Sequence, residues 1–385
     1  MPSHLRVVLG SSPHELELGG GVPWRLDDAW GRTHVRDAAA TWRVERSNRR
    51  LRVVSKDGRR QTAWSEEPFA VIADGPASIV PWNGHRYRGE LRLVATDTAI
   101  IVVNVVGLEE YLRGVVPIEI GRRAPNEIAA VEAQAIAARS YTVVRALEGV
   151  TKAWDLTARP TDQVYGGVDA ETALSDSAIA ATAGQVLTYG GQPIRAPYHS
   201  TCGGATASPR DVWRGGQDAW LRGVSDLVPG TNRAWCEISP RFAWERVIDE
   251  RALLDAVASQ ERGRRVARIT MARVAATTPS GRVRELALDT EAGTVTLSGN
   301  DMRFALRDAR GEWLNSTYFS LEPTIERGGR LTRLTLRGRG NGHGVGMCQW
   351  GAIGRARAGM ASASILEAYY PGTVIARVQS GVRSR

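Results

Sequence analysis

One acidic side chain, Glu119, lies in the apolar run VVPIEI, where Pro117 restricts the backbone. Apolar neighbours keep water away from a carboxyl, and this loss of hydration raises the pKa of the group. A raised pKa suits a general acid that must keep its proton near neutral pH. The run therefore predicts a general acid at Glu119. The alternative is a structural carboxylate that pairs with Arg139 or faces water.

Two histidines lie in glycine-rich segments, His199 in YHSTCGG and His343 in GNGHGVG. Neighbouring glycines let a substrate approach the backbone and leave amide groups free to donate. Residues 344–347 also precede a predicted helix, whose N-terminus would hold partial negative charge on a substrate oxygen. These segments predict substrate contacts, and a core or turn histidine is the alternative at each position.

The three cysteines, Cys202, Cys236 and Cys348, are too few for a disulfide framework and odd in number. One disulfide with a free thiol, three free thiols and a shared metal site all remain open. A zinc site formed with one histidine is chemically sensible, but the wide spacing lacks a CxxC signature. A thiol-dependent hydrolase using Cys202 or Cys348 would need a neighbouring base, and strand geometry puts His199 and Cys202 on opposite faces.

The elements that would position these residues are a buried strand, AIIVVNVVGL, and a long helix that begins after Pro125-Asn126. Asn126 is the predicted N-cap of this helix. At about 100 degrees per residue its apolar residues fall on one side, and Arg139 lies at the edge of that side. An arginine there must reach water or pair with an acid.

Strand patterns dominate the remaining sequence, over residues 5–94 and 266–337, whereas residues 241–262 are predicted to be helical. A glycine-rich loop near the C-terminus leads into two further helices. The length of 385 residues suggests two or three structural units. We therefore predict a strand-rich α+β fold, in which a central helix-containing catalytic unit is flanked by β-rich segments.

The net charge of +9 comes almost entirely from arginine, because Lys56 and Lys152 are the only lysines. Arginine binds phosphate and carboxylate groups of polyanions. No dense basic block or nucleic-acid motif accompanies the charge, so nucleic acid is not a predicted partner. No apolar run approaches the roughly 20 residues of a membrane span, and the start MPSHLRVVLG lacks the features of a signal peptide. The expectation is a cytoplasmic protein, or one whose export segment is missing from this chain.

Several motifs occur in a familiar order between residues 84 and 376: LEEYLRGVVPIEI, AVEAQAIAARSY, TDQVYGG, GQVLTYGGQPIRAPYHSTCGG, LRGVSD, GHGVGMCQWGA and ILEAYYPGT. Together they resemble the sporulation stage II protein D and LytB amidase-enhancer family. Members of that family act on peptidoglycan, and the sporulation protein is a lytic transglycosylase that cleaves glycan strands stripped of their peptides. The resemblance implies the same activity here, in cell-wall remodelling or sporulation, with an extracytoplasmic location in the cell envelope.

The resemblance also assigns residues, residue by residue. The glutamate of the VVP-x-E segment corresponds to Glu119, which would act as acid and then as base. The predicted catalytic residues are Glu119, Arg139 and His343, and the predicted glycan contacts are Tyr198, His199 and Gln349. No cofactor is implied. Some members bind zinc near the D-x-Q-V-Y loop, but residues 151–165 contain neither His nor Cys, so no metal is predicted there.

Two departures from the family pattern concern the site. Ile120 replaces the usual methionine after the glutamate, and Asn341 stands where a tryptophan is common, so one aromatic platform for sugar is absent. The alternative function is that of a non-catalytic wall-binding protein that stimulates an amidase. The predicted segments are an N-terminal β-rich segment (1–80), the first part of the catalytic core (81–240), a mostly stranded α/β insertion (241–337) and a C-terminal segment that completes the core (338–385).

Overall fold

The chain folds into two units in the computed structural model, which describes residues 3–37, 40–75, 78–150, 152–213, 218–260 and 266–378. The first unit comprises Met1–Arg195 and Ile375–Arg385, and the second comprises Ala196–Val374. The sequence-based division into four segments is finer and stays a prediction. The predicted class, a strand-rich α+β fold, is confirmed.

The first unit is organised around a seven-stranded sheet in the order β12-β1-β11-β10-β7-β3-β4. Strands β1 and β12 are parallel, and the other neighbours are antiparallel. The strands of this unit are β1 (His4–Ser12), β2 (Glu15–Gly19), β3 (Trp24–Asp27), β4 (Thr33–Asp37), β5 (Thr41–Ser47), β6 (Arg50–Ser55), β7 (Phe69–Ala73), β8 (Ile79–Trp82), β9 (His85–Arg88), β10 (Glu90–Ala95), β11 (Ile100–Gly107), β12 (Leu156–Thr157), β13 (Gln185–Tyr189), β14 (Gln192–Pro193) and, returning at the end of the chain, β23 (Val374–Arg377).

The predicted buried strand is β11, which lies between β1 and β10. Its continuous apolar sequence fits a strand that is covered on both faces. Helix α1 (Leu108–Ile120) follows it directly, and α2 (Ile128–Glu148) and α3 (Ala173–Ala181) complete the helices of this unit. Strand β11 thereby fixes the start of the helix that carries Glu119.

The start of α2 differs from the prediction that Asn126 caps it. The chain enters α2 through a single 3-10 turn, Pro125–Glu127, and Asn126 lies inside this turn. The Glu127 carboxylate accepts the amide of Ala124 at 2.9 Å and so satisfies a main-chain donor at the helix start. This bond closes the turn that precedes α2, so it differs from the predicted cap, in which Asn126 would accept an amide of the first turn of α2.

The second unit contains short sheets around one apolar core. Its strands are β15 (Tyr198–His199), β16 (Ala243–Asp249), β17 (Ile269–Thr277), β18 (Val283–Thr290), β19 (Gly293–Ser298), β20 (Phe319–Glu326), β21 (Arg330–Arg339) and β22 (Met347–Cys348), and its helices are α4 (Pro209–Val212), α5 (Glu250–Gln260), α6 (Asp301–Ala305), α7 (Gln349–Arg357) and α8 (Ser362–Tyr369). The orders β16-β21-β20 and β17-β18-β19 describe the two larger sheets, which share this core with α5. No described helix in either unit is long and apolar enough to cross a membrane.

The prediction of a helix over residues 241–262 is wrong for its first part. Residues 243–249 form β16, which pairs with β21, and Glu250–Gln260 is helical, whereas residues 261–262 of the predicted helix lie outside the described residues. Trp244 and Ile248 are both buried, and their spacing also fits one face of a helix. Arg246, between them on the same face of the strand, interrupts the apolar alternation that would have indicated a strand.

Candidate functional site

Glu119 lies near the C-terminal end of α1, one residue before the helix ends at Ile120. Its side chain is half-buried, and Oε1 accepts the main-chain N–H of Val164 at 2.9 Å. Gly121, with φ of 75°, then turns the chain away from the helix, a conformation that suits glycine. The carboxyl is therefore oriented by a rigid main-chain donor.

This donor belongs to the segment TDQVYGG, residues 161–167, which we call the QVY loop. The buried amide oxygen of Gln163 accepts hydrogen bonds from the hydroxyls of Tyr111 in α1 (3.2 Å) and Thr142 in α2 (2.7 Å). The amide nitrogen of Gln163 donates to the carbonyl of Ala138 at 3.3 Å. Both helices thus hold the loop that orients Glu119.

Tyr165 anchors the other end of the QVY loop. Its hydroxyl donates to the side-chain oxygen of Asn104 in β11 at 3.0 Å, and burial raises its pKa far above the ordinary range. The ring packs against Gly114, where an added Cβ would lie 2.5 Å from the Tyr165 ring. Glycine is required at position 114 because of this close approach between helix and loop.

Arg139 is fully buried and pairs with Glu109 in the first turn of α1. Nε donates to Oε1 at 2.9 Å, and an Nη donates to Oε2 at 2.7 Å, which makes a two-bond contact. The remaining N–H groups point to the carbonyls of Gln185 (3.1 Å), Ala135 (3.4 Å) and Ile179 (3.4 Å). The guanidinium therefore joins α1, α2, α3 and β13.

The alternative considered for Glu119, a structural carboxylate paired with Arg139, does not hold, because the acid that pairs with Arg139 is Glu109. Glu109 also accepts the amide of Gly184 at 3.2 Å, so its carboxylate is bonded to the main chain as well as to Arg139. A direct contact between Arg139 and a substrate would have to break these bonds. The catalytic role predicted for Arg139 stays untested. Its contacts favour the interpretation that Arg139 positions α1.

In the second unit, β15 and β22 form a parallel pair in which His199 lies opposite Cys348. The Nδ1 atom of His343 accepts the amide of Val345 at 3.1 Å, and its Nε2 donates to the carbonyl of Tyr198 at 2.9 Å. Burial, with the positive charge of nearby Arg303, lowers the pKa of His343 to about 4. His343 is therefore neutral near pH 7, with both ring nitrogens bonded to the main chain.

His199 uses only one ring nitrogen. Nδ1 donates to the carbonyl of Val345 at 3.1 Å, which leaves Nε2 as a buried acceptor with no hydrogen-bond partner among the described residues. Burial and the neighbouring His343, at 5.4 Å between ring centres, hold its pKa well below the ordinary value. Of the two predicted histidines, His199 is thus the one with an unused polar atom, whereas catalysis was assigned to His343.

Trp213 is a residue that the sequence analysis missed. Its ring centre lies 5.0 Å from that of His343, and the residue is 38% exposed. The sequence comparison implied that an aromatic platform is absent because Asn341 replaces a tryptophan. Trp213 presents an aromatic face beside the same histidine, and the only sequence signal was a tryptophan in the polar segment DVWRGG.

The glycines around His343 do not leave the backbone open as predicted. An added Cβ at Gly344 would lie 2.8 Å from the Arg282 guanidinium, and one at Gly346 would clash with the carbonyl of Pro197. The start of α7 is also engaged, since the amide of Trp350 bonds to the carbonyl of Ser200 at 3.0 Å. The expectation that this helix start holds charge on a substrate is therefore corrected. Close packing explains these glycines.

The other predicted glycan contacts lie in the same unit. Tyr198 is half-buried in β15, and Gln349 is the first residue of α7, with 7% exposure. Glu119 and Arg139 belong to the first unit, so the structure describes the predicted residues as two separate groups. The single cleft that would unite them stays a prediction.

The three cysteines, far apart in sequence, come together with Asp226. One ligand atom from each of Cys202, Asp226, Cys236 and Cys348 lies within 4.8 Å of all the others. All three thiols are fully buried. A nucleophile must reach its substrate, so this burial argues against the thiol-dependent hydrolase. The sequence analysis did not identify Asp226 as a neighbour of the cysteines.

Comparison with known proteins agrees with the motifs. Residues 96–189 match the family described as Stage II sporulation protein, and residues 221–346 match a domain of unknown function, DUF8618. The chain is 29% identical over 300 residues to an uncharacterized protein of Brachyspira hyodysenteriae, which covers 76% of this chain and 73% of that protein. It is 28% identical over 301 residues to stage II sporulation protein D of Bacillus subtilis, covering 74% and 78% of the two chains. The amidase enhancer of Bacillus subtilis is 27% identical over 301 residues, covering 69% of this chain and 40% of that protein.

Replacing Arg139 tests whether it is structural. The Arg139→Met substitution leaves buried carbonyls without a donor and removes the partner of the partly exposed Glu109, so we expect the free energy of unfolding to fall by roughly 1–3 kcal/mol. Arg49→Met, which removes an exposed ion pair with Asp97, should change it by less than about 1 kcal/mol. Denaturant titration measures both. An Arg139→Met protein as stable as wild type but inactive would restore the direct catalytic role.

The neutral state of His343 predicts a pH dependence of stability. Its folded pKa of about 4 lies below the ordinary 6.5, so the unfolded chain binds a proton first as the pH falls. Stability from this group is fully present above about pH 6.5 and is lost progressively towards pH 4. The positively charged groups facing it, Arg282 and Arg303, keep their charge over this range.

Denaturant titrations between about pH 7 and pH 4.5 measure this loss, because stability changes wherever the two states bind different numbers of protons. His343→Gln should show a shallower loss than wild type, whereas His14→Gln, at an exposed site, should follow wild type. Equal slopes for wild type and His343→Gln would contradict the buried neutral histidine.

Proposed function

We propose that the protein is a lytic transglycosylase that cleaves peptidoglycan glycan strands, because residues 96–189 match the stage II sporulation protein family. The observation that carries this proposal is the half-buried carboxyl of Glu119, oriented by the Val164 amide at 2.9 Å. A carboxyl that accepts a main-chain N–H is held in one orientation, and a glycosidic bond bound beside it would meet it in that orientation. Geometry of this kind is what proton transfer in a transition state requires.

The reaction needs one carboxyl. Protonated Glu119 donates its proton to the bridging oxygen, and the bond from that oxygen to the anomeric carbon of the muramic residue breaks through an oxocarbenium-like transition state. The 6-hydroxyl of the same sugar then attacks the anomeric carbon and gives its proton to the Glu119 carboxylate. The products are a 1,6-anhydromuramic end and a new 4-hydroxyl, so no water is consumed and Glu119 returns to its starting state.

The remaining predicted residues take supporting roles. Arg139 positions α1 through Glu109, and His343 holds the Tyr198 carbonyl and the ring of Trp213 in place. Nε2 of His199 is a candidate acceptor for a sugar hydroxyl, because Nδ1 of the same ring is bonded to the main chain and Nε2 is not. Tyr198 and Gln349 are further candidate glycan contacts.

The proposed substrate places the protein in the cell envelope, outside the cytoplasmic membrane. The net charge of +9 suits a surface that meets the carboxylates and phosphates of cell-wall polymers. Arginine forms two-bond contacts with such groups, which a compact ammonium group does not. The charge favours contact with the wall and does not by itself select a bond for cleavage.

A second candidate function is stimulation of a cell-wall amidase without catalysis. The relative named as an amidase enhancer, 27% identical over 301 residues, favours it, as does the basic surface. The amidase would then be the partner of this chain, and Glu119 would serve only structure. The two functions differ in whether the purified chain alone changes the glycan.

Product analysis separates them. Denuded glycan strands incubated with the wild type should yield 1,6-anhydromuramic ends by mass spectrometry, and Glu119→Gln should lower the rate by roughly 10²–10⁴, the usual worth of a general acid. Glu132→Gln, an acid on α2, should cleave like the wild type. Amidase stimulation by both the wild type and Glu119→Gln, without anhydro products from either, would instead establish the enhancer function.

Trp213 should contribute to glycan binding. Its exposed ring offers an apolar face to a sugar, so Trp213→Ala should weaken binding by about 1–2 kcal/mol, or about tenfold in Kd. The matched control is Trp64→Ala, because Trp64 is 37% exposed, close to the 38% of Trp213. Co-sedimentation with glycan strands measures both. Equal binding by the wild type and Trp213→Ala would remove Trp213 from the site.

A further inference from the structure

Four buried donor groups that the proposed reaction does not use converge in the second unit. The sulfurs of Cys202 and Cys236 are 3.4 Å apart, and the Cys202 sulfur is 3.1 Å from Oδ2 of Asp226. The Cys348 sulfur completes the group, in which every pair of ligand atoms lies within 4.8 Å. We call these four residues the Cys3Asp cluster.

These separations fit a tetrahedral metal ion. A zinc ion holds thiolate sulfur at about 2.3 Å and carboxylate oxygen at about 2.0–2.2 Å, which places tetrahedral donors roughly 3.4–3.8 Å from one another. The observed spacing brackets this range, so small side-chain movements would complete the geometry. Three thiolates select zinc over magnesium or calcium, which prefer oxygen ligands.

Surrounding groups hold the donors as they do at structural metal sites. Oδ1 of Asp226 accepts the hydroxyl of Tyr369 at 2.6 Å and an N–H of Arg355 at 3.1 Å, which turns Oδ2 towards the sulfurs. The Cys348 sulfur accepts the amides of Cys202 (3.1 Å) and Gly351 (3.3 Å). Amide donors at a sulfur favour the thiolate form, and bonds of this kind orient metal ligands.

The charges around the cluster point to an anionic set of ligands. Arg282 is 1% exposed and donates to the carbonyl of Cys202 at 2.6 Å, but it forms no ion pair within the described residues. Arg355, 9% exposed, pairs with Asp226. With three neutral thiols, two buried guanidinium groups face one carboxylate. Three thiolates, one carboxylate, a divalent ion and two arginines sum to zero, which removes the cost of an uncompensated buried charge.

We propose that Cys202, Asp226, Cys236 and Cys348 bind one zinc ion at a closed structural site. All four ligands come from the protein and are buried, so no coordination position is left for a substrate or a catalytic water. The sequence analysis predicted no metal but left open a zinc site formed by the three cysteines with one histidine. The structure brings Asp226 to the three sulfurs instead, and no sequence signal indicated it because the four residues come from separate segments.

The ion would fasten the segments that carry both histidines. Cys202 follows His199 in the HSTCGG segment, and Cys348 ends the strand that leads from His343 into α7. Strands β15 and β22 pair over only two residues each, so their hydrogen bonds alone give little hold. Metal ligands at the ends of both strands would fix the separation of His199 and His343.

Metal analysis of the full chain tests the proposal without any activity measurement. Protein purified without chelator should contain about one zinc per chain, and a mercurial reagent should release the metal as it reacts with the thiols. After removal of zinc and reduction, Co²⁺ should bind at the same ratio with the absorption of tetrahedral thiolate coordination. This measurement needs no variant and is independent of glycan cleavage, so its failure and that of the proposed function are distinguishable.

Two substitutions sharpen the result. Asp226→Asn keeps all three cysteines but should lower zinc affinity at least about tenfold, the scale of effects seen when the groups around a metal are altered. Asp211→Asn, which alters a carboxylate paired with Arg284 in the same unit, should bind zinc like the wild type. Equal zinc affinity in Asp226→Asn and the wild type would overturn the aspartate ligand. A reduced wild-type chain that binds neither zinc nor Co²⁺ would overturn the site. The same conclusion would follow if the purified chain contained a disulfide between Cys202 and Cys236 and bound no metal after this disulfide was reduced.

Discussion

The ion pair between the buried guanidinium of Arg139 and the partly exposed carboxylate of Glu109 is the constraint on which the first unit depends. A guanidinium that has lost all contact with water must be neutralised and have its N–H groups bonded, and the carboxylate and carbonyls that do so come from α1, α2, α3 and β13. Their relative positions are fixed as a result. Glu109 lies in the first turn of α1 and Glu119 in its last turn, so the contact of the Arg139 guanidinium at one end of the helix helps to set the position of the carboxyl at the other.

The QVY loop adds the second constraint on Glu119. Its side chains are used for packing and for buried hydrogen bonds, through Gln163 and Tyr165, and its main chain supplies the donor to the carboxyl. A main-chain donor cannot rotate away as a side chain can, so the orientation it imposes costs little reorganisation during a reaction. The segment therefore orients Glu119 through its main chain, while the side chains of Gln163 and Tyr165 fix the loop itself.

Part of this arrangement was predictable from sequence because it depends on local pattern. The sequence analysis predicted strand β11, the long helix α2 and the helix after GHGVG. Each of them has a spacing of apolar residues or a turn residue that indicates its structure. The motifs also resembled the family whose model matches residues 96–189. The helix predicted over residues 243–249 failed because pairing with β21 overrode a spacing that suits either structure.

The partners of side chains could not be predicted in this way. Periodicity put Arg139 near the buried face of α2 but could not choose between Glu109 and Glu119, which both lie on α1. The Cys3Asp cluster and the contact of Trp213 with His343 join segments that are distant in sequence. Glycine-rich spacing suggested open backbone at Gly344 and Gly346, whereas an arginine and a carbonyl occupy that space.

A reaction by one carboxyl without a water nucleophile is the central chemical claim, and an isotope measurement tests it most directly. Denuded glycan strands cleaved by the wild-type protein in water enriched in ¹⁸O should give 1,6-anhydromuramic ends that carry no ¹⁸O, because the new bond is made by the sugar's own 6-hydroxyl. Reducing ends labelled with ¹⁸O would show that water attacks the anomeric carbon, and would contradict the mechanism assigned to Glu119.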